Sequence, residues 1–234
     1  MSSVDDVLHE FGLGPEDLDA WRKSALPADA FDAWLTDRVA RQPAGRRAKE
    51  VYGAEDVHED ARRAILAALM LGPEDRLLEI GCGGGLLLRD ALRTGSAAVG
   101  LDHSEDMVRL AAERAPGAEV VRATAENLPF ADGSFTAAAM SIVLMFLPAP
   151  VGVLRECHRV LVPGGRIAVY TAGPELRGTA AAPEPVAGRC FFYDDEALGR
   201  LADQAGFADG TVLNDDGGQL LTAHRSRPPR EAIV

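Results

Sequence analysis

The sequence predicts a doubly wound α/β protein with a mostly parallel sheet of seven strands. From residue 54 onward, short apolar runs alternate with amphipathic helical stretches, a pattern typical of βαβ units covered on both faces. The last two apolar runs flank a loop of Asn, Asp and Gly, which predicts an antiparallel hairpin at the C-terminal end. The length of 234 residues fits one domain with a helical addition.

The first 50 residues differ from the rest of the chain. Apolar residues at helical spacing predict short helices over residues 5–11, 15–24 and 29–40, joined by Gly-Pro and Leu-Pro breaks. Residues 41–49 are rich in Arg and poor in apolar side chains, which predicts a hinge. The pattern separates an N-terminal helical cap, residues 1–50, from a main domain, residues 51–234.

The main domain is expected to begin with a helix over residues 55–71. The seven strands are predicted at residues 76–80, 97–101, 118–121, 135–140, 166–170, 207–213 and 219–224. Helices are predicted between them at residues 86–94, 104–114, 151–161 and 194–205, and Pro163-Gly164-Gly165 is expected to stop the third. Residues 173–189, rich in Pro, Ala and Gly, are expected to form a loop that faces a ligand.

Composition limits the partners. The 36 acidic and 24 basic residues give a formal net charge of -12, which repels nucleic acid and anionic lipid. Cys82, Cys157 and Cys190 are odd in number and widely spaced, so we expect neither disulfides nor a bound metal, and a reducing, cytoplasmic setting. The acidic N-terminus does not resemble a signal peptide. Pro and Gly interrupt the uncharged stretch 133–154, which favours a buried strand and loop over a membrane span.

A glycine cluster, Gly81-Cys82-Gly83-Gly84-Gly85, follows the first strand and precedes a helix. Glycines let the backbone approach a ligand, and the helix N-terminus supplies unpaired amides. Asp102 ends the next strand, where a carboxylate can accept both hydroxyls of a ribose, although an aspartate there can also simply cap a helix. The combination predicts an adenosine-containing ligand.

The glycine spacing favours a cationic adenosine ligand over a dinucleotide. The dinucleotide fingerprint requires Gly or Ala as its last residue, but Leu86 or Leu88 occupies that position in the two possible registers. Glu79 precedes the glycines, and its charge is unfavourable beside a pyrophosphate but favourable beside an ammonium or sulfonium group. A nicotinamide oxidoreductase is therefore disfavoured.

These motifs resemble the class I S-adenosylmethionine-dependent methyltransferases of the small-molecule type, similar to those of ubiquinone and natural-product biosynthesis. The resemblance extends from about residue 52 to residue 225. Besides the glycine cluster, the matching motifs are Gly100-Leu101-Asp102-His103-Ser104 with Met107, Ala125-Glu126-Asn127-Leu128-Pro129-Phe130, the segment 154–166, and Ala205-Gly206-Phe207. The resemblance implies a Rossmann-like fold, with the N-terminal helices over the active site, and S-adenosylmethionine as cofactor.

The resemblance also implies which residues contact the cofactor. They are Tyr52, Glu79, Gly81, Cys82, Gly83, Gly85, Asp102, His103, Met107, Thr124, Ala125, Glu126 and Ser141. Thr124 stands where the family commonly has an Asp that contacts the adenine amino group, and its hydroxyl could still accept that hydrogen bond. Cys82 is expected to be a small filler rather than a nucleophile, and Tyr52 either covers the sulfonium or only packs the hinge.

The acceptor side is less well defined. Met145 and Phe146 replace a His pair that is common in the family, which favours an apolar acceptor. Trp21 and Trp34 are further candidates for substrate contacts, although aromatic residues at helical spacing more often form a core. His9, His58 and a residue of the loop 173–189 are candidate general bases, and no feature of the sequence separates them.

The expected reaction is methyl transfer to an O, N or C atom of a small, fairly apolar metabolite by in-line displacement. The sulfonium already activates the methyl carbon, so the protein mainly aligns the reactants in a dry pocket. The alternative is a protein that binds the cofactor without methylating, as an accessory subunit or a cyclase. The sequence predicts neither the acceptor nor the oligomeric state.

Overall fold

The computed structural model describes residues 3–43, 50–52, 54–56, 58–215 and 218–227. A seven-stranded sheet with the order β3-β2-β1-β4-β5-β7-β6 forms its centre. The strands are β1 (Arg76–Ile80), β2 (Ala97–Asp102), β3 (Glu119–Arg122), β4 (Phe135–Ser141), β5 (Leu161–Ala172), β6 (Phe207–Asn214) and β7 (Gly218–Arg225). Strands β1 to β5 pair in parallel, and β7 lies antiparallel between β5 and β6. The predicted fold class is confirmed.

Helices cover both faces of the sheet, and the first three lie in the segment predicted to be an N-terminal cap. They are α1 (Val4–Glu10), α2 (Pro15–Ser24), α3 (Phe31–Thr36), α4 (Glu59–Leu69), α5 (Leu86–Leu92), α6 (Glu105–Arg114), α7 (Pro150–Val160) and α8 (Asp195–Gln204). Leu78 and Ile80 of β1 pack in one core with residues of α7 and α8, whereas Leu77 packs on the other face with α4, α5 and α6. Burial on both faces explains why the parallel strands are nearly continuous apolar runs.

The N-terminal cap has a hydrophobic cluster of its own. Its buried members are Leu8, Leu13, Leu35 and Val39, and Val186 joins them from the loop that follows β5. Asp17, which is 4% exposed, accepts hydrogen bonds from the Gly14 N–H at 3.0 Å and from Arg38 Nε at 2.6 Å. These N-terminal helices are therefore organised around their own apolar and ionic contacts, and the loop after β5 adds Val186 to their cluster.

Several predicted helix boundaries were wrong. The helix predicted at residues 55–71 spans Glu59–Leu69, because His58 and Met70 adopt left-handed conformations, with φ of 50° and 46°, at its two ends. The helix predicted at residues 29–40 is divided: α3 follows a 3₁₀ turn, Ala28–Ala30, and precedes a π-helical turn, Asp37–Arg41. The hinge predicted at residues 41–49 lies mostly outside the described residues, as do residues 216 and 217 of the predicted hairpin loop.

The segment Pro163-Gly164-Gly165 does not stop a helix. Helix α7 already ends at Val160, and β5 begins at Leu161. Phe135 of β4 pairs with Leu161, and the register then shifts before Ala137 pairs with Arg166. A bulge of this kind accommodates a proline and a glycine with a φ of 83° within a strand.

Candidate active site

The glycine cluster is fixed against the end of β2 by backbone hydrogen bonds. The N–H groups of Gly81 and Cys82 both donate to the Leu101 carbonyl, at 2.7 and 3.0 Å. Gly81 has a φ of 68°, and a Cβ at this position would overlap the Val143 side chain. Only glycine therefore permits this turn to lie so close to the segment after β4.

Asp102 links the glycine cluster to the start of α6. Its Oδ2 accepts a hydrogen bond from the Gly83 N–H at 3.0 Å, and its Oδ1 accepts one from the Ser104 N–H at 2.9 Å. The residue is only 6% exposed. Burial raises the pKa of Asp102, and the two backbone hydrogen bonds oppose that rise. The carboxylate is held in a fixed orientation at the carboxyl end of β2, as the ribose interpretation requires.

Glu79 is a buried carboxylate that lacks a partner for one oxygen. Among the described residues, neither its Oε2 nor the hydroxyl of Ser141 has a hydrogen-bond partner. Burial, reinforced by the charge of Asp102, raises the pKa of Glu79 well above its ordinary value. Buried polar atoms are rarely left unsatisfied, so each of these two atoms is available to a polar or cationic ligand group.

One cavity of about 990 Å³ joins these groups at the carboxyl ends of β1, β2 and β4. In a doubly wound sheet this edge is the usual ligand site, at the point where the strand order reverses. The predicted site residues that line it are Tyr52, His58, Glu79, Gly81, Cys82, Gly83, Asp102, His103, Met107, Thr124, Ala125, Glu126, Ser141, Met145 and Phe146. The structure thus brings most of the predicted cofactor contacts together with Met145 and Phe146, two of the four predicted substrate contacts.

Four predicted site residues do not line the cavity. Gly85 is the N-cap residue of α5 and has a φ of 77°. A Cβ there would lie 2.8 Å from the Ala111 Cα, so this glycine permits close packing of α5 against α6. The rings of Trp21 and Trp34 are tilted at 54° with centroids 5.4 Å apart, and both contact Phe31. His9 is exposed on α1. Aromatic residues at helical spacing form a local core here, as the competing interpretation of the two tryptophans proposed.

The sequence did not identify the residues that close the cavity opposite the sheet. They come from the cap and from the loop after β5, and they include Phe11, Val39, Arg41, Leu176, Ala182, Pro183, Val186 and Cys190. Arg62 of α4 also lines the cavity and donates to the Glu55 carbonyl at 2.9 Å. The loop was expected to face a ligand from its composition, but no motif marks its individual residues.

Comparisons with known proteins fit this geometry. A family model described as a methyltransferase domain matches residues 78–169. A demethylmenaquinone methyltransferase of Beutenbergia cavernae is 40% identical over 108 residues, which cover 46% of this chain and 45% of the relative. The chain thus spans about half the length of this relative.

A longer match decides the family. An uncharacterized methyltransferase of Synechocystis sp. is 31% identical over 165 residues, which cover 67% of this chain and 76% of that protein. The chain belongs to the S-adenosylmethionine-dependent methyltransferase family. A crystal structure of a family protein from Thermotoga maritima, a possible histamine N-methyltransferase, superposes with a TM-score of 0.60 at 26% identity, covering 72% of this chain and 91% of that one.

The cavity of this family member fits the family's cofactor, S-adenosylmethionine. Glu79 Oε2 and the Ser141 hydroxyl are polar atoms that still need partners, and a Cβ at Gly83 would have no described atom within 4 Å. Gly83 therefore leaves room for a ligand to approach the backbone. Burial raises the pKa of the Cys82 thiol well above its ordinary value, which fits the expectation that this residue is a small filler rather than a nucleophile.

Two histidines face the cavity in different settings. His103 is partly exposed, with Nδ1 3.8 Å from Asp102 Oδ1, and its carbonyl accepts a hydrogen bond from Arg122 at 3.2 Å. His58 is exposed at the start of α4 and lines the cavity, and the surrounding protein atoms, together with the charge of Arg62, lower its pKa. His58 is therefore neutral near pH 7 and able to accept a proton.

No helix in the described part of the chain is both long and apolar enough to cross a membrane. Within the same residues, no group of three or more His, Cys, Asp and Glu side chains is arranged to hold a metal ion.

Proposed function

We propose that the protein transfers a methyl group from S-adenosylmethionine to an O, N or C atom of a small, largely apolar metabolite. One observation carries the proposal: a single cavity joins the glycine cluster, Asp102 and the unpartnered Glu79 oxygen to a wall that is mostly apolar. The glycine cluster and the two carboxylates suit an adenosine ligand with a positive charge, and the apolar wall suits an apolar acceptor.

Different residues would contact different groups of the cofactor. Asp102 would accept hydrogen bonds from the ribose hydroxyls, and Gly83 would allow close approach of the backbone. Glu79 would accept from the ammonium group, because a buried carboxylate near a cation recovers the energy lost on burial. When bound, the cofactor supplies an electrophilic methyl group. The protein then contributes alignment and exclusion of water, which are worth roughly 7 to 11 kcal/mol in favourable cases.

The acceptor would bind between the turn after β4 and the loop after β5. Met145 and Phe146 lie in a 3₁₀ turn, Leu144–Phe146, and the Met145 carbonyl accepts a hydrogen bond from the Phe191 N–H at 2.8 Å. Across the cavity lie Ala182 and Val186. These walls support an apolar acceptor, and the relative named demethylmenaquinone methyltransferase is consistent with that class.

A proton acceptor would be needed for a phenol, an enol or a protonated amine. Of the two histidine candidates His58 is the better one, because it lines the cavity and has a lowered pKa, whereas His9 does not line the cavity. The acceptor partner remains a small molecule in this proposal. The net charge of -12 argues against nucleic acid, and the buried free thiols of Cys82 and Cys157 suit the reducing cytoplasm.

Calorimetric titration tests the cofactor site. S-adenosylhomocysteine should bind with micromolar affinity, and oxidised NAD should not compete. Asp102→Ala should abolish that binding, whereas Asp106→Ala, which alters a carboxylate outside the cavity lining, should not. Preference for NAD would contradict the proposal.

A second measurement tests the reaction. Incubation with S-adenosylmethionine and a panel of apolar phenols, quinols and amines should release S-adenosylhomocysteine with at least one acceptor. Tight cofactor binding with no turnover across the panel would instead favour a protein that binds the cofactor without methylating.

A further inference from the structure

Arg114 joins three segments around the cofactor end of the cavity. It is the last residue of α6, and its side chain is 12% exposed. The same Nη1 donates to the Gly84 carbonyl and to the Tyr52 carbonyl, at 3.0 Å each. The guanidinium therefore ties the glycine cluster to the segment that precedes α4.

The close approach of Tyr52 to the glycine cluster is built into the sequence. A Cβ at Gly84 would lie 2.5 Å from the Tyr52 carbonyl oxygen and 2.8 Å from Arg114 Nη1. Gly84 does not have a positive φ, so its backbone conformation alone does not require glycine. Glycine is required at this position because Tyr52 and Arg114 occupy the space that a side chain would need.

Hydrogen bonds hold Tyr52 at both its backbone carbonyl and its side-chain hydroxyl. Its carbonyl is held by Arg114, and its hydroxyl donates to the carbonyl of Val39, a buried cap residue, at 3.3 Å. Tyr52 and Val39 both line the cavity. The tyrosine therefore spans the wall between the glycine cluster and the cap.

We propose that Arg114 is a positioning residue that holds Tyr52 in the cavity wall and thereby favours a cationic ligand over a neutral one. This inference rests on the proposed function, since S-adenosylmethionine carries a sulfonium charge and S-adenosylhomocysteine does not. An aromatic side chain in the wall attracts a sulfonium cation more strongly than it attracts a neutral thioether. Arg114 is itself positive, so its charge alone would repel the sulfonium. The two effects of Arg114 have opposite signs.

The ratio of the two affinities separates these effects. Calorimetry would measure the dissociation constants of S-adenosylmethionine and S-adenosylhomocysteine for the wild type, Arg114→Met and Tyr52→Leu. Arg114→Met should reduce the relative affinity for S-adenosylmethionine by about 2- to 30-fold, as should Tyr52→Leu. The double variant should show no further loss, because Arg114 acts through Tyr52.

Matched variants complete the test. Arg109→Met removes an exposed arginine from the same helix and should leave the ratio unchanged. Arg114→Lys, which retains a donor, should restore most of it. Should Arg114→Met fail to fold, Gly84→Ala displaces the Tyr52 carbonyl from the other side and should give the same loss.

Three results would overturn the inference. They are an unchanged ratio in Arg114→Met, a ratio shifted towards S-adenosylmethionine, and additive losses in the double variant. Failure of the wild type to bind either compound would instead overturn the proposed function, so the two failures are distinguishable.

Discussion

Two glycines of the same cluster have different roles, and this can be tested by adding one methyl group to each. Gly81→Ala should destabilise the fold by about 2 kcal/mol or more, because the methyl overlaps Val143 in addition to the cost of a positive φ. Gly83→Ala should cost only about 1 to 2 kcal/mol, since its methyl meets no described atom, but it should weaken S-adenosylhomocysteine binding at least tenfold. Thermal unfolding and calorimetry measure the two effects. Equal stability losses would contradict this assignment.

The pH dependence of the rate tests His58 as the proton acceptor. Its pKa is lowered from the ordinary value of 6.5 by burial and by Arg62, so the neutral, active form persists below that pH. The rate should therefore fall only when the pH drops below the lowered pKa. His58→Gln should slow turnover by about 10²- to 10⁴-fold and remove this acid limb. His9→Gln is the matched control, and an unchanged profile in His58→Gln would exclude the role.

Among individual residues, the sequence predicted the positions of those that lie at the end of a strand. Glu79 and Asp102 were readable because parallel strands place their carboxyl ends at one edge of the sheet. The sequence could not show where the side chains of Trp21, Trp34 and His9 lie, because their positions depend on how the N-terminal helices pack against one another. The residues of the loop after β5 were missed individually, since no periodicity or spacing fixes which of them point inward.

Among the elements, the start of β1 is held to β4 and β5 by one carboxylate. Asp75 accepts hydrogen bonds from Arg166 at 2.9 and 3.0 Å and from Thr136 at 2.7 Å, and these contacts, Arg166 first, lower its pKa from 3.8 to about 2. A lowered pKa means that the stabilisation is complete above about pH 4 and is lost as the pH falls towards 2.

Asp75→Asn tests this linkage. It should reduce the free energy of unfolding by about 1 to 2 kcal/mol at pH 7, after allowance for solvent screening, and by almost nothing near pH 2. Urea denaturation at the two pH values measures the difference. Asp60→Asn, which removes an exposed carboxylate paired with Arg63, should have little effect at either pH. A pH-independent loss in Asp75→Asn would show that packing rather than charge is responsible.

Element types were more predictable than element ends. The alternation of apolar runs and helices indicated all seven strands, because burial on both faces determines composition. The ends depended on local conformations that the pattern does not encode, such as the left-handed His58 and Met70 and the bulge that keeps Pro163 within β5.

For the whole molecule, the division into a cap and a main domain remains a prediction that the hydrophobic clusters support. The cap core is separate from the two cores of the sheet, and Val186 is its buried contribution from the main domain. Two hydrogen bonds connect the two parts beside the proposed cofactor site. Ser104 Oγ donates to the Pro43 carbonyl at 3.1 Å, and the Tyr52 hydroxyl donates to the Val39 carbonyl. Among the described residues, Val186 is the buried apolar side chain that the main domain adds to the cap cluster, and the two polar contacts involve residues that border the cavity or lie next to it.

Substitution of one buried leucine in each part tests whether the cap opens independently. Leu35 in the cap and Leu78 in the sheet are both 0% exposed, so replacement by Ala should cost each local structure about 2 to 5 kcal/mol. If the cap opens by itself, Leu35→Ala should remove amide-exchange protection from α1 to α3 while β1 and β4 keep theirs. Leu78→Ala should instead lower protection throughout the sheet. S-adenosylhomocysteine should partly restore protection of the cap in Leu35→Ala, because Val39 and Pro43 border the same cavity. A uniform loss of protection in Leu35→Ala would show that the cap and the sheet unfold as one cooperative unit.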